Sequence, residues 1–196
     1  EEIIQHFDWA DAIAIGPGLG PNEETIKFVE KLVSASNKPL VIDADGLRPF
    51  MGNNKLFEEI TVPFVITPHY GEFCRITAAD SKTIESEFTS VVTDFMIDFN
   101  GVLVAKNAPS CIFYKNNGVV NLTGNPALAT AGTGDVLTGM IAGLIAQGLE
   151  PSNAAQTAVY IHGKAADFFC EKKGMRGMIA SDLLNTIPTV LNDYDN

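Results

Sequence analysis

Ala129–Gly148 reads A-T-A-G-T-G-D-V-L-T-G-M-I-A-G-L-I-A-Q-G, a turn of small residues running into an apolar helical pattern with an acid, Asp135, at the junction. Gly132 and Gly134 permit backbone conformations that turn several N–H groups one way, and the helix that follows adds the positive end of its dipole. Together they build an anion hole. A carboxylate beside such a hole can take a proton from a hydroxyl while the hole holds a phosphoryl group in transfer. A plainer reading covers the same residues: Asp135 favours a helix N-terminus, and the glycines let helices pack closely. The segment alone does not separate the two. It is no Walker A loop, because G-x-x-x-x-G-K-[ST] is absent. Val136, Met140, Ile141, Leu144 and Ile145 read as core.

Upstream, short β-rich runs each end in an unusual polar loop: Ala12–Ile15 before G-P-G-L-G, Leu40–Ile42 before D-A-D-G, and Phe64–Ile66 before T-P-H-Y-G-E. Between the first two, Thr25–Ser34 sets Ile26, Val29, Leu32 and Val33 on one helical face. Strand, loop, helix, strand at this spacing implies right-handed crossovers and a mostly parallel sheet. A fourth run, Val102–Ala105, leads through K-N-A-P-S to two strand patterns around a turn expected at Asn116–Gly118, a hairpin. Beyond Asp135 the pattern is helical, over 135–147, 152–170 and 181–191, with Ser152 and Ser181 as expected caps. Ligands of open α/β sheets sit beyond the carboxyl ends of the strands, where every one of these polar loops falls.

Those loops carry further candidates. The glycines of Gly16–Gly20 invite a dinucleotide-fold reading, but the fingerprint needs a sixth-position glycine and Pro21 stands there. A loop approached closely by ligand remains. His69 and Glu72 sit in a turn with little structural purpose unless they touch a ligand or each other. Asp43 and Asp45 either orient a metal-phosphate or a substrate hydroxyl, or cap the next segment. Lys106 opens its loop where a cation can meet phosphate; the alternative is a solvated lysine. His162 reads as a packing residue.

Composition narrows the partners. Thirteen basic against 24 acidic residues leave a net charge of −11, which excludes a nucleic-acid surface or an anionic membrane as main partner. An anionic ligand must then be held by local amides and a few placed cations. Cys74, Cys111 and Cys170 form no C-x-x-C pair, so neither a disulfide framework nor a zinc knuckle is expected, and a reducing, cytoplasmic setting fits. The most apolar stretch, 136–149, is too short to span a bilayer. The chain opens at Glu1 inside helix-like sequence, without an initiator Met, and is expected to be a fragment.

The ordered set A-I-G-P-G-L-G, V-I-D-A-D-G-L, V-I-T-P-H-Y-G-E-F, V-A-K-N-A-P-S, G-N-P-A-L-A-T-A-G-T-G-D-V-L-T-G, Y-I-H-G-K-A-A-D and A-S-D-L-L resembles the ADP- or ATP-dependent NAD(P)H-hydrate dehydratases, and spans nearly the whole chain. Tyr70 stands where that family commonly has a second proline, and Thr133 where it often has serine.

The resemblance implies a ribokinase-like α/β/α sandwich with a mostly parallel sheet and a hairpin. Residues 1–196 would form one domain, truncated before its first strand. It implies repair of nicotinamide cofactor: the S epimer of NADHX or NADPHX is phosphorylated by ADP or ATP, and phosphate leaves to restore NADH or NADPH. Asp135 would be the catalytic base. Gly18, Gly20, Asp45, His69, Tyr70, Gly71 and Glu72, with Asp135, would face the hydrated dinucleotide. Lys106, Asn107, Ala108, Pro109, Ser110, Asn125, Ala131, Gly132, Thr133 and Gly134 would contact the nucleotide. Mg²⁺ would arrive with that nucleotide, with no protein ligand assigned. Expected associations are a homo-oligomer, a tetramer being common in bacterial relatives, and a fused or separate epimerase. Two other readings fit the same loops: a ribokinase-like kinase of a vitamin precursor or sugar, and a catalytically silent nucleotide-binding module.

Overall fold

The computed structural model describes residues 3–194. Six strands form one sheet in chain order: β1 (Ile13–Ile15), β2 (Leu40–Ile42), β3 (Phe64–Ile66), β4 (Val102–Ala105), β5 (Cys111–Tyr114) and β6 (Asn117–Val120). The first four run parallel, with Ile13 opposite Leu40, Leu40 opposite Phe64 and Val65 opposite Val102. The last two return antiparallel. Helix α1 (Glu23–Ala35) joins β1 to β2, and α2 (Tyr70–Thr77) with α3 (Ser81–Ile97) joins β3 to β4. The β2–β3 crossover uses two 3₁₀ segments instead, Ala44–Phe50 and Asn54–Glu59.

Strands β2 to β4 are apolar throughout because both of their faces are covered, whereas the edge strand β1 leaves Ala14 exposed. Alternate residues divide between two cores. Leu40, Ile42, Phe64, Ile66 and Leu103 face a cluster with Val29, Leu32 and the rings of Phe50, Phe57, Phe95 and Phe99. Phe57 stacks on Phe50 at 4.1 Å and meets Phe99 edge-on at 5.1 Å. Each such ring, taken fully from water, contributes about 2–3 kcal/mol. On the other face Val41, Val65, Val102 and Val104 pack against Leu137, Ile141 and Ile145 of α4 (Thr133–Ala146) and Ala154, Ala155 and Ala158 of α5 (Pro151–Lys173). Helix α6 (Ala180–Leu191) closes a third cluster on α5, around Ala165, Ala166 and Leu183.

Three local expectations are corrected. Helix α5 begins at Pro151 with Glu150 as N-cap, so Ser152 lies within the first turn; proline's fixed φ suits the first helical position and draws the start forward. Helix α6 begins at Ala180, and the capping bond comes from inside, Asp182 accepting the Ile179 N–H at 3.0 Å. Ser181 is therefore not its cap. The hairpin turns at Lys115–Asn116, with Tyr114 opposite Asn117. Gly118 lies in β6, where a Cβ would press on the Phe113 ring at 3.0 Å, so the glycine serves close cross-strand approach rather than the turn.

Candidate active site

The carboxyl ends of β1 to β4 and the N-terminus of α4 converge. Gly16 follows β1 with φ of 129°, and a Cβ there would lie 1.6 Å from the Asp43 carbonyl oxygen. The loop after β1 therefore lies directly on the loop after β2. Gly20 N–H donates to Asp45 Oδ2 at 3.0 Å, while Asp45 Oδ1 accepts from Arg48 Nε at 2.7 Å. Asp45 thus shapes the glycine loop. Gly18 and Gly20, both at positive φ, have open space where a side chain would project.

After β3, His69 and Glu72 do touch each other. His69 is the N-cap of α2: its Nδ1 accepts from the Gly71 and Glu72 amides at 3.0 and 3.3 Å, and Glu72 Oε2 accepts the His69 N–H at 2.8 Å. This reciprocal box satisfies amides that the first turn leaves free. It also puts the ring proton on Nε2, 3.4 Å from Glu72 Oε1. The His69 side chain stays 56 % exposed, while that of Glu72 is 9 % exposed. The Tyr70 hydroxyl donates to the Ser81 carbonyl and ties α2 to α3.

After β4, Lys106 pairs with His69 as an isolated parallel bridge, its amide donating to the Pro68 carbonyl at 2.9 Å. Its Nζ lies 2.8 Å from Asp43 Oδ1. Asn107, Ala108 and Pro109 are exposed, and Ser110 Oγ donates to the Asn107 carbonyl at 3.1 Å.

The segment entering α4 is held from behind by α5. Asp167 accepts the Gly124 N–H and the Asn125 Nδ2, both at 2.9 Å. Asn125 Oδ1 in turn accepts from the Ala127 amide at 3.0 Å and from Cys170 Sγ at 3.3 Å. Thr133 Oγ1 closes the loop on the Leu128 and Thr130 carbonyls. His162 Nε2 reaches the Thr133 carbonyl at 2.9 Å. Burial pushes its imidazole below the usual histidine range, the Lys106 charge adding a smaller push the same way. Gly132, at φ 86°, caps α4 without a side-chain bond; the Thr133 amide turns back to the Thr130 carbonyl at 3.3 Å, which leaves the Gly134 and Asp135 amides of the first turn open to a ligand. Asp135, in that turn, is exposed.

The sequence-derived candidates therefore meet at one end of the sheet, though not all alike. Gly18, Gly20, His69, Lys106 and Gly132 stand on the loops, and Gly134 and Asp135 on the first turn of α4. Asn125 is engaged within the protein through both atoms of its amide. Sequence reasoning missed Thr138 and Asp167 and gave His162 only a packing role. The signal for Asp167 and His162 was their place in Y-I-H-G-K-A-A-D. Among the described residues no group of three or more His, Cys, Asp or Glu side chains is arranged to hold a metal. A surface groove of about 400 Å³ along Gln156, Tyr160, Leu191 and Tyr194 shares no residue with these loops.

Four parallel strands continued by an antiparallel hairpin, with helices packed on both faces, define an α/β protein of ribokinase-like fold. A family profile for NAD(P)H-hydrate dehydratase matches residues 1–189. The chain is 36 % identical, over all 196 residues, to a bifunctional NAD(P)H-hydrate repair enzyme of Moorella thermoacetica, of which it covers 37 %. It is similar in structure, at a TM-score of 0.83 and 30 % identity, to an ADP/ATP-dependent NAD(P)H-hydrate dehydratase of Bacillus subtilis co-crystallised with ATP and Mg²⁺. That match covers 94 % of this chain and 65 % of the other. A ribokinase-like superfamily protein of Enterococcus faecalis matches at 0.83 and 26 % identity, over 98 % of this chain and 66 % of its own. This chain belongs to the NAD(P)H-hydrate dehydratase family. It spans just over a third of the length of the curated repair enzyme it matches.

Proposed function

We propose that this chain dehydrates NADHX and NADPHX with ADP or ATP as phosphoryl donor, residues 1–196 acting as one dehydratase domain. The observation that carries the reading is Asp135 on the open first turn of α4, with the Lys106 ammonium within 3.3 Å of where a Gly134 Cβ would stand. A carboxylate, free amides and a cation then surround the place where a phosphoryl group would move.

Asp135 takes the proton of the ring hydroxyl as its oxygen attacks the terminal phosphorus of the nucleotide, and the shortened nucleotide leaves. The free amides of Gly132 and Gly134 and the Lys106 ammonium hold the oxygens of the group in transfer. Hydroxide leaves poorly and phosphate well. The ring nitrogen's lone pair expels phosphate, and loss of a proton from the neighbouring ring carbon restores the double bond. Gly18, Gly20, Asp45 and the His69–Glu72 box line the dinucleotide side, with Tyr70 and Gly71 on the same turn. The loop Lys106–Ser110, together with Asn125 and Ala131–Gly134, frames the nucleotide side.

Mg²⁺ fits as a passenger of the nucleotide, because it keeps several waters and needs few protein oxygens. When bound it would neutralise charge building on the phosphates. The exposed Asp135 is the carboxylate within reach of such a complex; Asp43 is buried and paired. We infer further that an epimerase works beside this domain, since the Moorella relative is described as bifunctional and is far longer than this chain.

The test is the near-ultraviolet absorbance of the reduced nicotinamide ring, followed with NADH hydrate, Mg²⁺ and either nucleotide. A nucleotide-dependent rise, lost in Asp135→Asn, is expected. Formation of a stable phosphoester without that rise would make the chain a small-molecule kinase, and ATP binding without any product a silent module.

A further inference from the structure

Asp43 is 1 % exposed, and its carboxyl group meets the Lys106 side chain below the loops of the site. Its Oδ1 accepts from Lys106 Nζ at 2.8 Å and its Oδ2 from Thr138 Oγ1 at 2.7 Å. The Thr138 hydroxyl also lies 3.1 Å from the Gly134 carbonyl; with one proton to give, it serves the nearer, charged acceptor. The Asp43 carbonyl accepts the Gly46 amide at 2.9 Å and is the atom on which Gly16 rests. One residue therefore joins the loops after β1, β2 and β4 to α4.

A buried carboxylate is costly unless it is paired. Stability alone does not call for one here: the same sheet face continues below it as Val41, Val65 and Val104. The pair does something an apolar contact does not, because a charge-assisted bond fixes the direction of a long, flexible side chain. That direction is informative. A Cβ on Gly134 would meet Lys106 Nζ at 3.3 Å and Asp43 Oδ2 at 3.8 Å. The ammonium is thus held against the first turn of α4, beside its open amides.

At 1 % exposure Asp43 has no free face for a hydrated ion or a substrate. We propose that Asp43 is a positioning residue, which with Thr138 holds the Lys106 ammonium in register with the α4 amides so that both grip the same phosphoryl group. The inference rests on the function proposed above and adds to it a residue whose two carboxyl oxygens are both taken by side-chain donors of the protein. Asp43, on the loop after β2, and Thr138, on α4, stand 95 residues apart, and the lysine they hold comes from the loop after β4.

The test separates binding from turnover. Asp43→Asn keeps the shape and removes the charge. ATP affinity, measured by calorimetry with Mg²⁺, should hold or tighten, since a negative charge near the phosphates is gone. The value of kcat should fall about 100-fold, because the freed ammonium no longer sits in the productive place. Thr138→Val should lower kcat about 10-fold with ATP affinity unchanged, and Thr138→Ser should restore it. The serine arm carries the test if Asp43→Asn does not fold. A purely structural role would lower the melting temperature while leaving kcat per folded molecule unchanged, and that result overturns the proposal, as does equal loss of affinity and kcat. Wild-type turnover with unaffected variants sinks the positioning role alone. A wild-type chain that binds ATP without turnover sinks the dehydratase reading and this inference with it.

Discussion

The His162 side chain, in the middle of α5, reaches the main-chain oxygen of Thr133 at 2.9 Å, so that the last residue before the Gly134–Asp135 turn hangs from an imidazole. A carbonyl can only accept, which places the ring proton on Nε2. The ring is 7 % exposed, and burial is the main reason its pKa lies below the usual value.

The sign of the linkage follows. A depressed histidine pKa means that the unfolded chain takes up the proton first, so stability is complete above about pH 6.5 and declines as pH falls toward the folded value. Denaturant midpoints measured across that range should drop on the acid side in the wild type. In His162→Gln, which can still donate to Thr133 but cannot titrate, this part of the slope should vanish. His162→Ala should lose about 1–3 kcal/mol at neutral pH by leaving the carbonyl without a partner.

Asp167 carries the other end of the same loop, accepting from Gly124 N–H and Asn125 Nδ2. Asp167→Ala leaves both donors without that acceptor and should destabilise the fold by about 1–3 kcal/mol. Asp167→Asn should recover only part of this, since its amide must turn one donor toward another. Thermal melts decide the stability claim. ATP titrations should show weakened binding in both variants, because the loop they support leads directly to the α4 amides.

How much of this was legible follows from the range of each interaction. The strand triplets and their polar ends are local patterns, and Leu40–Ile42 and Phe64–Ile66 fall where their apolar runs predict. Asp135 was visible for the same reason, as an acid at the mouth of an apolar helix. The Asp43–Lys106 pair joins residues 63 apart, and no local periodicity reports it. His162 looked like packing because a mid-helix ring is ambiguous until the carbonyl that it meets is known. Gly118 misled by composition: Asn-Gly reads as a turn, but the Phe113 ring claims the space.

His69 has two duties that substitution can part. Its Nδ1 caps α2, and its exposed ring faces outward from the end of β3. Asparagine is among the best N-caps, so His69→Asn should keep the folding stability within about 0.5 kcal/mol of wild type. If the ring contacts the hydrated dinucleotide as proposed, the same variant should raise KM for NADH hydrate several-fold while ATP affinity stays put. His69→Ala should lose both, at about 1 kcal/mol for the cap. A wild-type KM in His69→Asn would reduce the histidine to its capping role.

Gly16 and Gly18 stand two residues apart in one loop and should respond differently to alanine. At Gly16 the new Cβ would lie 1.6 Å from the Asp43 carbonyl oxygen and 2.8 Å from the Gly46 nitrogen, backbone atoms that cannot swing aside. Either β1 or the Asp43 turn must move, and with it the pair that holds Lys106. Gly16→Ala should therefore fold poorly and lose ATP binding along with turnover. At Gly18 nothing lies within 4 Å of the new methyl, and the cost is the positive φ of 73°, about 1–2 kcal/mol for an L-residue. Its methyl points into open space on the side proposed for the dinucleotide. Gly18→Ala should accordingly stay folded and bind ATP normally, yet raise KM for NADH hydrate. Melting curves and ATP titrations of the two variants, run beside the turnover assay, separate a glycine needed by the backbone from one needed by the ligand.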